Sequence, residues 1–290
     1  MNFDFSDDQK MLRDQARKFL AEKCTTKTVR KVFESEAGLD RALWKQIAEM
    51  GWHGTAIPEE FGGLGLGYLE LCVIAEELGR ALAPVPFSST IYLFAEAILA
   101  AGSDEQKKRY LTRLATDTIG SYALSEASSG SDAFALQTRA VKRGDDYVLN
   151  GQKLWITNAK EAGLFIVFAT IDPALGYKGI TAFLVEKGAA GFTLGKKEDK
   201  LGIRASSTCE LIFNDCVVPA AQVLGEPGKG YKIAIETLNE GRIGIGSQML
   251  GLAAGAWGHA VKWARERKQF GKTLVEFQAM QFQLAEMATE

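Results

Sequence analysis

Only two histidines occur in the sequence, His53 and His259. His53 falls in a turn and His259 amid a helical pattern, which leaves little material for a Ser-His-Asp triad or a histidine-based metal centre. No metal site is expected. The four cysteines, Cys24, Cys72, Cys209 and Cys216, form no Cys-x-x-Cys pair and have no histidine near them in sequence. They read as free thiols in a reducing compartment rather than disulfides or zinc ligands. Charge of one sign is also missing. A formal net charge of −2 without a long basic run argues against nucleic acid or an anionic membrane as partner. No apolar run approaches the length of a transmembrane helix. The first residues carry Asp4, Asp7 and Asp8, unlike a secretory signal or an Arg-rich transit peptide; a cytoplasmic protein with no integral membrane segment is the resulting expectation. There is no internal repeat and no low-complexity tract.

Two glycine clusters fail as nucleotide motifs. Gly63, Gly65 and Gly67 have the wrong spacing for a dinucleotide fingerprint and follow Pro58 and two glutamates instead of a buried strand. The turn from Gly225 to Gly230 lacks the gap and the Lys-Ser/Thr of a P-loop.

At 290 residues, with 47% hydrophobic and 24% charged residues, the chain can bury a large core and hold more than one domain. Its pattern changes period twice. Residues 1–118 read as an all-α domain. Ser6 with Gln9 and Ser103 with Gln106 match capping boxes. A helix near Asp40 should bury Leu43, Trp44, Ile47 and Met50. Residues 68–83 should form another helix, and the apolar stretch 88–101 one buried on all sides. Residues 119–227 read as strands at 119–124, 137–141, 147–149, 164–171, 180–186, 192–194 and 210–218, a small β-barrel or sandwich. From 228 the pattern is helical again. Ile233, Leu238, Ile245, Met249, Leu252, Ala256 and Ala260 mark an apolar face ending near Lys268; a loop at 269–273 and a helix over 275–290 follow. This last part, 228–290, resembles the start of an incomplete helical bundle. The fold class is therefore α+β and multidomain.

The chain is organised around residues 122–157. Tyr122, Ala123 and Leu124 lead as a strand into a small-residue loop of Ser125, Glu126, Ala127, Ser128, Ser129, Gly130, Ser131 and Asp132. Such a loop offers N–H groups and the hydroxyls of Ser125, Ser128, Ser129 and Ser131 to phosphate or ring carbonyl oxygens at close approach. A second strand carries Trp155, Ile156 and Thr157, with Trp155 and Thr157 two apart on one face. A flat indole beside a hydroxyl suits a flat polar ring system.

This motif pair resembles the flavin site of the acyl-CoA dehydrogenases, whose Ser/Thr-Glu turn ending Gly-Ser-Asp precedes a Trp-Ile-Thr strand. The likeness covers nearly the whole chain and is most like the short/branched-chain members from about residue 120 onward. Pro58 to Gly63 also matches a family stretch. The resemblance implies FAD as cofactor, held by residues 122–131 and by Trp155, Ile156 and Thr157. Thr157 would lie near N5, Trp155 against the ring, and Ser131 by the pyrophosphate or the substrate. It further implies acyl-CoA contacts from Ser131, Tyr177, Tyr231, Asn239, Glu240, Gly241 and Arg242. Arg267 and Gln278 would reach the FAD of a neighbouring subunit in a homo-oligomer, a dimer of dimers. The implied activity is α,β-dehydrogenation of a short or branched acyl-CoA, with an electron-transferring flavoprotein as partner. An acyl-CoA oxidase-like enzyme and a non-catalytic flavin or acyl-CoA binding module are the alternatives.

The implied general base is a glutamate beyond residue 290. Some branched-chain members carry it immediately before the arginine matched by Arg242; here that position is Gly241. Glu240 lies about 100° away around the helix. On this reading no catalytic residue lies in the chain as given, and the 290-residue chain alone should be inactive or nearly so.

Overall fold

The structure, a computed structural model, describes residues 4–290. Residues 1–3 of the expected helical domain lie outside the described residues. Six α-helices come first: α1 Asp7–Lys23, α2 Thr26–Phe33, α3 Arg41–Glu49, α4 Tyr68–Arg80, α5 Glu96–Ala101 and α6 Asp104–Leu114. Both capping boxes form, with Ser6 accepting from the Gln9 N–H and Ser103 from the Gln106 N–H. The side chain of Asp40 caps α3 through the Leu43 N–H. Helix α2 was not foreseen. Met50 lies past the end of α3 and is exposed, not buried, because the chain turns away at Gly51 in the left-handed region. Helix α4 stops at Arg80, three residues short of the expected end, and the chain turns through Leu82 at φ +53. The expected helix over 88–101 is two elements, a π-helical stretch Ser88–Ala95 running into α5.

The β-part is one eight-stranded sheet. Its strands are β1 Gly120–Ala123, β2 Arg139–Arg143, β3 Asp146–Thr157, β4 Leu164–Thr170, β5 Ile180–Glu186, β6 Phe192–Lys197, β7 Thr208–Pro219 and β8 Val223–Leu224. The order is β6-β7-β3-β2-β4-β5-β8, with β1 parallel to β4. A single pair, Arg139 with Thr170, joins the two halves between β2 and β4. The halves fold face to face: Phe165 of β4 meets Phe192 of β6 at 4.9 Å, and Tyr147 of β3 meets Phe183 of β5 at 5.2 Å. Strand β4 is buried along its whole length. Phe165 and Val167 pack into the sheet interior, while Ile166 and Phe168 pack with Phe94, Ile98 and Leu111 of the helical layer.

A 37-residue helix, α7 Gly230–Glu266, then crosses the helical layer. Its expected apolar face is buried only at its start: Ile233 is buried and Leu238 packs against the core, whereas Ile245, Met249, Ala256 and Ala260 are exposed. From Ile233 and Ala234 onward the buried stripe runs through Thr237, Gly241, Gly244, Gly251 and Gly255 to Ala264. A Cβ on Gly251 would lie 1.8 Å from the Glu76 carbonyl oxygen, and one on Gly79 of α4 would lie 1.8 Å from that of Gln248. The two helices touch backbone to backbone, which no larger residue permits. Beyond α7, the expected loop is a small hairpin, β9 Lys268–Gln269 with β10 Lys272–Thr273, before α8 Gln278–Thr289.

His53 is fully buried against Trp44, with ring centroids 3.7 Å apart. Its Nδ1 lies 2.5 Å from the Thr116 carbonyl oxygen and therefore carries the proton, while Nε2 has no partner. Burial pushes the pKa down from 6.5 to about 4, against the pull of the Thr116 carbonyl. A folded pKa below the unfolded one means that the stabilisation is complete above pH 6.5 and is lost as pH falls towards 4. About 2 kcal/mol should disappear between pH 7 and pH 5 from this group alone. Urea midpoints at the two pH values check it: His53→Phe should flatten the dependence, and an unchanged slope would refute the assignment.

Candidate functional site

Strand β1 ends in the sheet interior and delivers the loop 125–132 to the surface beside β3. The loop is a tight knot. Glu126 and Ser129 exchange backbone hydrogen bonds of 3.0 and 3.2 Å, and the Ser129 hydroxyl donates to the Asp132 carbonyl oxygen. The backbone N–H groups of Ala127, Ser128, Gly130 and Ser131 make no hydrogen bond within the described residues, nor do the hydroxyls of Ser125, Ser128 and Ser131. A Cβ built on Gly130 meets nothing within 4 Å. The loop thus turns a set of unpaired donors to open space, as an anion or a polar ring edge requires.

Strand β3 supplies the flat surface. Between Lys153 and Ile156 it gains one residue relative to β7. At this bulge Trp155 sits at φ +58 with its indole 55% exposed. A large aromatic side chain held in water by a strained backbone is unusual, and a planar ligand laid on it would cover that surface. Thr157 is exposed next to it, and Ile156 points inward. The two segments are stitched together by the Leu154 N–H, which donates to the Ser125 carbonyl oxygen at 2.9 Å.

Several residues expected at the cofactor turn their side chains inward. The Glu126 carboxylate is buried, accepts from the Gln137 and Thr138 N–H groups at 2.5 and 3.1 Å, and pairs with Lys153 at 2.6 Å. The Ser129 hydroxyl is spent within the loop. Ala123, Leu124 and Ile156 have buried side chains. The Tyr122 ring packs on Phe168 at 4.9 Å, and its hydroxyl reaches towards the Ala234 carbonyl oxygen of α7 at 3.5 Å. Lys153 itself was missed. It lies in phase with the buried Leu149, but a lysine in a strand reads as a surface residue. Burial pushes its pKa down to about 8 even though Glu126 pulls it up. Burial alone would raise the Glu126 carboxyl; the Lys153 ammonium and the hydrogen bonds it receives outweigh that and hold it low.

Tyr177 and Tyr231, far apart in sequence, meet edge to face at 4.8 Å, and Phe134 also meets Tyr231 edge to face at 6.5 Å. On α7, Arg242 donates to the Asn239 side-chain oxygen, and both are exposed. Glu240 is exposed, and its charge acts on Glu96 and Tyr68. Glu96 is raised first by burial and then by Glu240, and accepts from the Tyr68 hydroxyl at 2.9 Å. Gly241 is buried, and a Cβ there would come within 2.7 Å of Leu93. Arg267 and Gln278 are exposed and make no side-chain hydrogen bond or ion pair among the described residues. No cluster of side chains able to hold a metal occurs among the described residues, and no helix among them is long and apolar enough to cross a membrane.

Three family models match the chain: acyl-CoA dehydrogenase N-terminal domain over residues 6–118, middle domain over 121–216 and C-terminal domain over 228–290. A probable short/branched chain specific acyl-CoA dehydrogenase of Dictyostelium discoideum is 48% identical over 288 residues, covering 98% of this chain and 69% of that protein. The mitochondrial short/branched chain specific enzyme of Rattus norvegicus is 42% identical, with 99% and 66% covered. The chain thus spans about two thirds of the length of these curated relatives. Among solved structures, a chain from a structure of the electron transferring flavoprotein of Acidaminococcus fermentans superposes with a TM-score of 0.93 at 45% identity, covering 100% of this chain and 76% of that one. An acyl-CoA dehydrogenase complexed with FAD from Bacillus anthracis gives 0.90 at 38%, covering 98% and 50%.

Proposed function

The chain belongs to the acyl-CoA dehydrogenase family, and from that premise we propose that it serves FAD-dependent α,β-dehydrogenation of a short or branched-chain acyl-CoA. The observation that carries the reading is the exposed Trp155 on its left-handed bulge, beside a loop with four unpaired N–H groups. These residues fit a flavin: a planar face for the ring and a donor-rich, side-chain-free cradle at Gly130 for its polar edge or its phosphates. FAD, when bound, accepts the hydride leaving the β-carbon. The protein's own part is to hold that ring on Trp155 and to aim the donors of residues 127–131 at its polar atoms.

Tyr177, Tyr231 and Phe134 form an aromatic corner suited to the thioester or CoA moiety, with Arg242, fixed by Asn239, as a cation for its acidic groups. Electrons would pass to an electron-transferring flavoprotein, in keeping with the Acidaminococcus neighbour. Arg267 and Gln278, without side-chain partners among the described residues, would serve the flavin of a second copy in a homo-oligomer. The division at 118 and 227 into domains and a cytoplasmic location belong to the same proposal; cell fractionation tests the latter, since the rat relative is named mitochondrial.

The test is anaerobic mixing of the FAD-loaded protein with butyryl-CoA or 2-methylbutyryl-CoA. Bleaching of the flavin absorbance is expected from protein that also carries the general base; the 290 residues alone, with Gly241 at the branched-chain base position and Glu240 turned about 100° away, should bleach it little or not at all. Oxygen consumption without an added acceptor would instead mark an oxidase, and base-bearing protein that holds FAD yet is bleached by neither thioester would mark a binding module. For Arg267, mixed oligomers of Arg267→Ala and Trp155→Ala chains should regain intact flavin sites; no recovery in demonstrably mixed oligomers would place Arg267 outside the partner's site.

A further inference from the structure

Lys153 is the one lysine among the largest fully buried side chains, and a core position for a lysine calls for a reason. Its ammonium donates to the Leu124 carbonyl oxygen at 3.0 Å and to the Glu126 carboxylate at 2.6 Å. That carboxylate also takes the N–H groups of Gln137 and Thr138. Four chain segments converge here: the end of β1, the first turn of the donor loop, the entry to β2, and β3 two residues before Trp155. Next to the pair, the Leu154 N–H bonds the Ser125 carbonyl oxygen. The loop and the bulge are therefore fixed to each other from beneath, by groups that never reach the surface of the site.

We propose that Lys153 and Glu126 are positioning residues for the cofactor: the buried pair sets the spacing and orientation of the donor loop relative to the Trp155 ring. This inference rests on the flavin reading above. The physical grounds are two. A loop of small residues has little packing of its own, so its shape is set by what it is anchored to. A planar ligand that must touch both the indole and the loop N–H groups binds only while the two stay in register. The pair also has an electrostatic part. Without the ammonium, the Glu126 carboxylate would stand uncompensated behind N–H groups that receive an anion or a partly negative ring edge.

Removing one partner leaves a buried unpaired group and endangers folding. The informative variant is therefore the double, Glu126→Gln with Lys153→Met, which removes both charges, keeps the glutamate's length and shortens the lysine by one atom. The readouts are FAD affinity, from quenching of free flavin fluorescence, and thermal melting of the apoprotein. The double variant is expected to bind FAD at least tenfold more weakly, while its apoprotein melts within a few degrees of wild type. Unchanged FAD affinity overturns the proposal, whatever the melting temperature. A variant that melts far lower but binds FAD normally below its transition assigns the pair to stability alone and overturns it equally. Wild-type protein that takes up no FAD overturns the flavin reading itself, and the positioning role with it.

Discussion

Gly251→Val should lower the stability of the protein by about 3 kcal/mol or more, seen as a fall of roughly 10 °C in melting temperature. The cause is contact between backbones. A Cβ at position 251 would sit 1.8 Å from the Glu76 carbonyl oxygen and 2.9 Å from its Cα. No rotamer change relieves this, because the obstacle is main chain in the middle of α4. The helices would have to part, and the neighbouring approaches of Gly79 to Gln248 and of Gly255 to Arg80 would open with them. Helical glycines are otherwise unfavourable, by about 1 kcal/mol each relative to alanine; at Gly251 and Gly255 the close approach of another backbone offsets that cost. Gly246 offers the control: it lies in the same helix with nothing within 4 Å of a built Cβ. Gly246→Ala should stabilise by roughly 0.5–1 kcal/mol. Similar effects from the two substitutions would dismiss the close-packing account.

Trp155→Ala should split stability from binding. Its indole is 55% exposed, so the apoprotein should keep its stability within about 0.5 kcal/mol. Loss of a stacked ring should weaken FAD binding by about 1–3 kcal/mol, roughly 5- to 150-fold. Trp155→Gly should weaken FAD binding equally while stabilising the apoprotein relative to the alanine variant, because glycine adopts φ +58 without strain. Titration of FAD into the three apoproteins measures the first effect and their thermal melting the second. An unchanged affinity in the alanine variant would remove Trp155 from the cofactor site. A large fall in apoprotein melting temperature would show that the ring is structural after all.

What the sequence could determine by itself was local or came in families of motifs. The capping boxes at Ser6 and Ser103 need only residues three apart, and both formed. Strand β5 occupies the residues its apolar run marked, because such a run can be satisfied only between two covering layers. The acyl-CoA dehydrogenase resemblance was legible from two short motifs at a particular separation. The tertiary structure decided the rest. The period-two rule put Lys153 and Trp155 on one face of β3; the bulge separates them, one to the core and one to water. Whether a strand holds an extra residue depends on how its partner, β7, is counted against it, which no window on β3 contains. The same holds for α7 beyond Leu238, where apolar residues suggested one face and glycines buried another. A glycine carries no hydrophobic signal; its value appears only when a second backbone arrives within contact distance. The Tyr177–Tyr231 contact joins the sheet to the long helix, and the Glu126–Lys153 pair joins the donor loop to β3; both bring together segments distant in sequence, and it is there that the candidate site takes its shape.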